Sequence, residues 1–389
     1  MPIKFYLGKL SPVKTVLAFT ICFLACSGAS VLASPDYSTV QDPNVVVTGI
    51  RSDSPDQGTD SVVITALYNL PSGTTAPAIY HGSLAGATAP GAVWTQFTPT
   101  ISNVTNASFY GPNTAVFSPS LGAGNIIAVG SYQISGTNTT HGLMYQGTVT
   151  GTGTWTTIDA TPLATGTNTL ANTIAHSTMG GLVVGNFDTQ TAVGQAFIYN
   201  TGSDTWTNLN ANGDRSVTAY GIWQNGSSTS TSFTIAGGFS DSNDQGLDQG
   251  YIVDYDSSTG LLTNYKTYNF NDSSSDSVTS HFDGITRTDT GFNLTGFYST
   301  VDNLSEGGFM ASITVDPDTG AFSNATWTDV SLGLVTTGNT IIGDYVLGIY
   351  DDGVSSHSYV ATVPEPATWG LLSLGAALLL QRKRSRRKA

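Results

Sequence analysis

Five histidines, His81, His141, His176, His281 and His357, are the side chains best suited to metal or acid-base chemistry, and their spacing argues against a preformed metal centre. None lies in an HExxH pattern, where two imidazoles one helical turn apart share a zinc ion. His141 and His357 fall at the same place in a repeat described below, where other copies carry Gln or Gly. A position that accepts those residues reads as hydrogen bonding at a strand edge. The aspartates offer a second chemistry. Asp241-Ser242-Asn243-Asp244-Gln245-Gly246, Asp254-Tyr255-Asp256 ahead of Gly260, Asp316-Pro317-Asp318-Thr319-Gly320 and Asp351-Asp352-Gly353 all place oxygen ligands before glycine. Calcium loops do the same. Asp241, Asn243 and Asp244 come closest to an EF-hand opening, but Ile252 stands where the bidentate glutamate is required. Tight hairpin turns select the same residues, for local hydrogen bonds and positive φ. Turns are therefore the favoured reading, with dispersed calcium binding the alternative and no other cofactor expected.

Catalytic motifs are absent. There is no GxSxG elbow and no phosphate-cradling loop. The 25 aspartates allow many carboxylate pairs of the kind glycoside hydrolysis uses. Linear order does not say which would meet, so no catalytic residue is assigned. Glu306, the only glutamate between the two terminal segments, reads as a solvated loop residue. Trp94, Trp155, Trp206 and Trp327 recur with the repeat, which favours packing over sugar stacking.

These side chains sit in an unusual charge setting. Between Ser34 and Val363 the only basic residues are Arg51, Arg215, Lys266 and Arg287, so this region carries about −22 charges. Such a surface repels nucleic acid. Both cysteines, Cys22 and Cys26, precede it, which leaves the region without disulfides or thiolate chemistry. Ahead of it, Lys4, Lys9 and Lys14 lead into an apolar run from Val16 to Ala25 and then Val31-Leu32-Ala33. This is the order of a secretory signal peptide over residues 1–33, cleaved between Ala33 and Ser34 and read by the Sec export machinery.

The elements that hold the candidate residues follow from a repeat across residues 34–361. A β-branched strand with a small residue, followed by an aromatic, recurs six times, with Ala66, Gly130, Gly185, Gly237, Gly296 and Gly348 as the small residues. A second apolar-aromatic strand begins 9 to 12 residues later, for example His141 to Tyr145 and Gln195 to Tyr199. A third, such as Trp155 to Ile158, follows in all but the last copy. Tyr37 to Val40 has the pattern that the last copy lacks, so pairing the chain's two ends would complete it and remove both open edges. This predicts an all-β fold, a six-bladed β-propeller closed by its N- and C-terminal strands. His141-Gly142-Leu143-Met144-Tyr145, Gln195-Ala196-Phe197-Ile198-Tyr199 and Trp155-Thr156-Thr157-Ile158-Asp159 resemble the HAF repeat of extracellular bacterial proteins. That resemblance implies an extracellular repeat domain and supplies no catalytic residues.

The last segment, residues 362–389, has a different character. Val363-Pro364-Glu365-Pro366 leads to Trp369 and an apolar run containing Leu371, Leu372, Leu374, Leu378, Leu379 and Leu380. Arg382, Lys383, Arg384, Arg386, Arg387 and Lys388 follow. The run approaches the roughly 20 residues that span a bilayer as a hydrophobic helix, and the cationic end resists translocation. The order of motif, apolar run and basic cluster resembles the PEP-CTERM sorting signal. It implies recognition by a membrane exosortase, transient anchoring in the inner membrane, removal of the tail and delivery to the cell surface or extracellular matrix of a Gram-negative bacterium. The expected protein is a non-enzymatic adhesion or exopolysaccharide-interacting protein. The alternatives are an exported propeller hydrolase or lyase acting on polysaccharide and a calcium-dependent carbohydrate-binding module.

Overall fold

Runs rich in Val, Ile, Thr and aromatic residues, punctuated by Gly- and Asp-containing turns, fold as antiparallel meanders. The computed structural model describes residues 34–364 except 138, 165, 167, 210–214, 241–248, 274–276 and 301–305. Within Pro35–Val363 the architecture is all-β. Strand β1 (Asp36–Thr39) precedes a first meander of β2 (Val45–Ser52), β3 (Val62–Asn69), β4 (Thr75–Gly82) and β5 (Thr95–Gln96). The next contains β6 (Val104–Thr114), β7 (Asn125–Ile134), β8 (Thr140–Thr148) and β9 (Gly153–Thr157). It is followed by β10 (Leu170–Met179), β11 (Leu182–Thr189), β12 (Gln195–Asn200) and β13 (Thr205–Asn208).

A split first strand, β14 (Arg215–Ser216) and β15 (Gly221–Gln224), opens the meander of β16 (Ser232–Ser240), β17 (Gln249–Asp256) and β18 (Leu261–Tyr268). Then come β19 (Val278–Arg287), β20 (Gly291–Thr300), β21 (Glu306–Thr314) and β22 (Thr326–Asp329). Last are β23 (Val335–Ile342), β24 (Tyr345–Asp351) and β25 (Ser356–Thr362), and the fourth strand beside β25 is β1, with Tyr37 opposite Ala361 and Thr39 opposite Tyr359. The two ends of the chain thus share one sheet.

The first strands pack on one another in succession: β2 on β6, β6 on β10, β10 on β15, β15 on β19, β19 on β23, and β23 back on β2. Two polar side chains, one on β23 and one on β25, tie the last meander to β2. Asn339 Nδ2 donates to Val47 O at 2.7 Å, and Ser358 Oγ donates to Val45 O at 2.8 Å while accepting from Val47 N. Farther out, aromatic side chains fill the seams. Trp155 stacks on Phe109 at 5.6 Å and meets Phe97 of the preceding meander. Trp327 packs edge-on to Phe309 at 5.0 Å and to Phe270, which follows β18.

The repeated small residue has a steric cause. A Cβ added at Gly130 would meet Ser108 O at 1.9 Å, at Gly185 Ile174 O at 2.0 Å, and at Gly237 Thr218 O at 2.0 Å. At Gly296 it would meet His281 O at 1.7 Å, and at Gly348 Thr337 O at 1.8 Å. In four of these five places the register of the first strand slips by one residue opposite the glycine, the mark of a β-bulge. In the fifth, the first strand breaks between β14 and β15. The bulge swings a carbonyl into the space that a side chain would occupy.

Candidate functional site

The extra residue of each first-strand bulge opposite the repeated small residue points to one place. Thr48, Tyr110, His176, Asp283 and Asn339 are the unmatched residues, and Tyr220 holds the same place at the β14–β15 break. All of them line a central cavity of about 450 Å³. That volume lies within the range of small-molecule pockets. Bulges commonly re-aim a side chain in this way, so one irregularity repeated through the fold turns a packed seam into a lined channel.

Along one arc the lining is aromatic. Tyr110 meets His176 at 4.9 Å between ring centroids, and His176 stacks on Tyr220 at 3.4 Å. Behind this lining the buried His281 meets Tyr220 edge-on at 4.7 Å and stacks on Phe297 at 5.4 Å. Along the other arc hydroxyls and an amide stand among aliphatic side chains, Val46, Leu67 and Ile349. Thr48 Oγ1 donates to Phe109 O at 2.6 Å, and Thr337 Oγ1 donates to Asn339 Oδ1 at 2.8 Å.

One carboxylate, Asp283, is among the described residues of the lining. Its Oδ1 lies 2.7 Å from Nδ1 of His281, which is buried and whose Nε2 is 2.6 Å from Thr218 Oγ1. Burial pushes the Asp283 carboxyl up, with His281 opposing the shift. Burial likewise raises the Tyr220 hydroxyl and lowers the His176 imidazole to about 3. His176 Nε2 lies 3.0 Å from Asn186 Oδ1, so the neutral ring donates there. The arrangement can hold a polar, ring-bearing ligand by stacking and hydrogen bonds, and it contains one acid of raised affinity for protons.

These shifts have opposite consequences for stability. The folded His176 resists protonation while the unfolded one takes a proton near 6.5. Its contribution is complete above that value and is lost as pH falls toward 3. For Asp283, raised in the folded state, the contribution is present at low pH and lost as pH rises through the folded value. Between pH 7 and pH 4 the native protein is therefore expected to lose on the order of 2 kcal/mol more than His176→Gln in urea titrations. Parallel pH curves for the two proteins would remove His176 as a source of acid lability.

Several expectations from the sequence meet the structure here. His141 Nδ1 lies 2.8 Å from Asp159 Oδ2, and His357 Nε2 lies 3.3 Å from Asp352 Oδ2, so both pair with turn or edge carboxylates. Asp316 and Asp352 accept backbone N–H groups within their own turns, which holds their carboxyls below the usual range. Among the described residues no three metal-ligating side chains converge. Asp241, Asn243 and Asp244 lie outside the described residues. Glu306 differs from expectation. It opens β21 opposite Ser299, is half-buried, and has its carboxyl raised by burial and by Asp283. Its own pairing with Ser299 of β20 and Val335 of β23 draws it out of a loop.

Of the sorting segment, Val363 is buried and donates its N–H to Asp344 O at 2.9 Å. Pro364 follows half-buried. Glu365, Pro366, Trp369, the leucines and the basic cluster lie outside the described residues, as do Ala33 and the segment before it, while Ser34 is exposed. No helix among the described residues is long and apolar enough to cross a membrane.

No curated protein matches the chain by sequence. Among solved structures, a Trypanosoma rangeli sialidase is 10% identical with a TM-score of 0.44, over 92% of this chain and 58% of its own length. The chain thus spans about three fifths of that protein. A glycoside hydrolase is 9% identical with a TM-score of 0.41, over 92% of this chain and 100% of its own. An oligogalacturonate lyase in complex with manganese is 10% identical with a TM-score of 0.34, over 86% and 96%. Residues 362–387 match the PEP-CTERM protein-sorting motif, and the chain therefore ends in the signal of an exported protein sorted by an exosortase to the surface.

Proposed function

We propose that the protein is a non-enzymatic surface or matrix protein of a Gram-negative bacterium, exported by its signal peptide and released from the inner membrane by exosortase. In this reading the meanders are the six HAF-like blades of a β-propeller, closed where β1 pairs with β25, and the central channel binds extracellular polysaccharide. The observation that carries the sorting half is the motif at residues 362–387 directly after the last strand. The binding half is supported by the lining, which sets aromatic and aliphatic side chains beside a few hydroxyls and amides, with Asp283 its one described carboxylate.

Fractionation of cells expressing the full chain or a version ending at Thr362, with mass analysis of the mature C-terminus, tests this. The full chain is expected at the surface without its basic cluster. An intact tail on secreted protein refutes processing. A second reading, a polysaccharide hydrolase or lyase, draws support from the raised carboxyl of Asp283 beside His281 and Tyr220. It requires turnover that Asp283→Asn abolishes.

A further inference from the structure

Of the four basic residues between Ser34 and Val363, two share one hollow. Arg51 and Arg287 line a second cavity of about 240 Å³, and Arg51 also lines the central channel. In a region of about −22 charges this is a concentration of the scarce sign.

Arg51 is only 6% exposed, yet no carboxylate among the described residues lies within ion-pair distance of it. Its guanidinium donates to neutral acceptors alone: Ile50 O at 3.1 Å, Ile222 O at 2.9 Å and Ser177 Oγ at 3.4 Å. The carbon of that group lies 5.5 Å from the centre of the Trp223 ring, and Nε has no partner. Burial lowers the group to about 10. Removing a cation from water without an anion is costly. A protein that keeps one so placed holds a site where an anion is favoured, because the enclosure strengthens the attraction.

Arg287 is exposed, rests 4.7 Å over Phe292 and likewise has no described carboxylate partner. Asp56, at the same hollow, is occupied by its own turn, accepting from Ser54 Oγ and Gly58 N. Trp223 and Phe117, edge to face at 5.4 Å, add an apolar wall, and Gln57 adds an amide.

We propose that this hollow binds the carboxylate of a single acidic sugar residue, with the planar forks of Arg51 and Arg287 facing the carboxylate and the ring lying against Trp223. The planar guanidinium matches a carboxylate with two parallel hydrogen bonds, which a point charge does not. A site of this size takes one ring, and the acidic surroundings oppose a long polyanion. The proposal deepens the polysaccharide-binding reading and rests on it for the sugar.

Calorimetry of the exported mature protein with glucuronate, glucose and acetate tests it. Glucuronate is expected to bind, glucose not to bind, and acetate to bind at least about tenfold more weakly than glucuronate. Arg287→Gln, at an exposed position, should keep the melting temperature and weaken glucuronate about tenfold or more. Arg287→Lys should restore binding only in part. Absence of glucuronate binding, or equal binding by Arg287→Gln, overturns the site. Equal affinity for acetate overturns the sugar assignment. Glucuronate binding that Arg287→Gln removes, in a protein that binds no extracellular polysaccharide, keeps the site and defeats the broader reading. Polysaccharide binding without glucuronate binding does the reverse.

Discussion

Gly296→Ala is expected to destabilise the protein by about 3 kcal/mol or more, a large part of the stability of an ordinary domain. The new methyl would lie 1.7 Å from His281 O and 2.8 Å from His281 C, which are backbone atoms with no rotamer to change. Strand β19 has little room to withdraw. Its neighbours on either side are β15 and β23, and His281 Nε2 is held 2.6 Å from Thr218 Oγ1. Gly260→Ala supplies the control. Gly260 has φ of +73° and open space where a Cβ would stand, so alanine there costs only about 1 kcal/mol of backbone strain. Urea unfolding of both variants decides the matter, and a Gly260→Ala penalty equal to or above that of Gly296→Ala would contradict the steric origin of the repeat.

The second large effect is expected at the closing sheet. A protein that begins at Gln41 instead of Ser34 lacks β1 and Val40. It loses four residues of pairing with β25, the bond from Val40 N to Ser358 O, and the contact of Tyr37 with Tyr359 at 6.1 Å. Val40 itself is buried, and Tyr359 is fully so. Burying a valine or similar side chain contributes about 1.5–3 kcal/mol, so with the lost aromatic cover the cost is about 4 kcal/mol. The edge of β25 would then stand open to another chain, and size-exclusion chromatography should show association. A shortened protein that is monomeric and unfolds within about 0.5 kcal/mol of the longer one would mean that β1 contributes little beyond covering an edge.

The outer strands of each meander are legible in the sequence because their constraints are shared. Gly130, Gly185, Gly237, Gly296 and Gly348 all face an intruding carbonyl, and Trp155 and Trp327 fill the same kind of seam. Pairing of the segment Tyr37 to Val40 with the last copy follows from a missing fourth strand, and β1 does pair with β25. The first strands are hidden for the opposite reason. Their bulges break the period-two alternation by which strands are recognised. The lining residues Thr48, Tyr110, His176, Tyr220, Asp283 and Asn339 are of five types, since each answers to the cavity and not to the repeat. The one common trace is a small or β-branched neighbour: Gly49, Gly111, Ser177, Gly221, Gly284 and Thr340 follow them. At Gly49 and Gly111 a Cβ would strike the carbonyls of Tyr110 and His176 in the next first strand, at 2.0 and 2.4 Å. A polar or aromatic residue before such a neighbour, ahead of each repeated glycine, is the signal by which the channel could have been found. Arg51 left no pattern at all, because a single buried cation differs from a surface one only in three dimensions.

The pairing of β1 with β25 also sets an order of events. An exported chain emerges from its N-terminus, so the four residues of β1 are among the first to leave the translocon and their partner is the last strand to do so. Until Ser356–Thr362 arrives, the early segment has no hydrogen-bonding mate, and contacts this distant in sequence form slowly. The final clasp therefore shuts only as the sorting motif itself reaches the membrane. Completion of the fold and arrival of the sorting motif thus fall to adjoining residues.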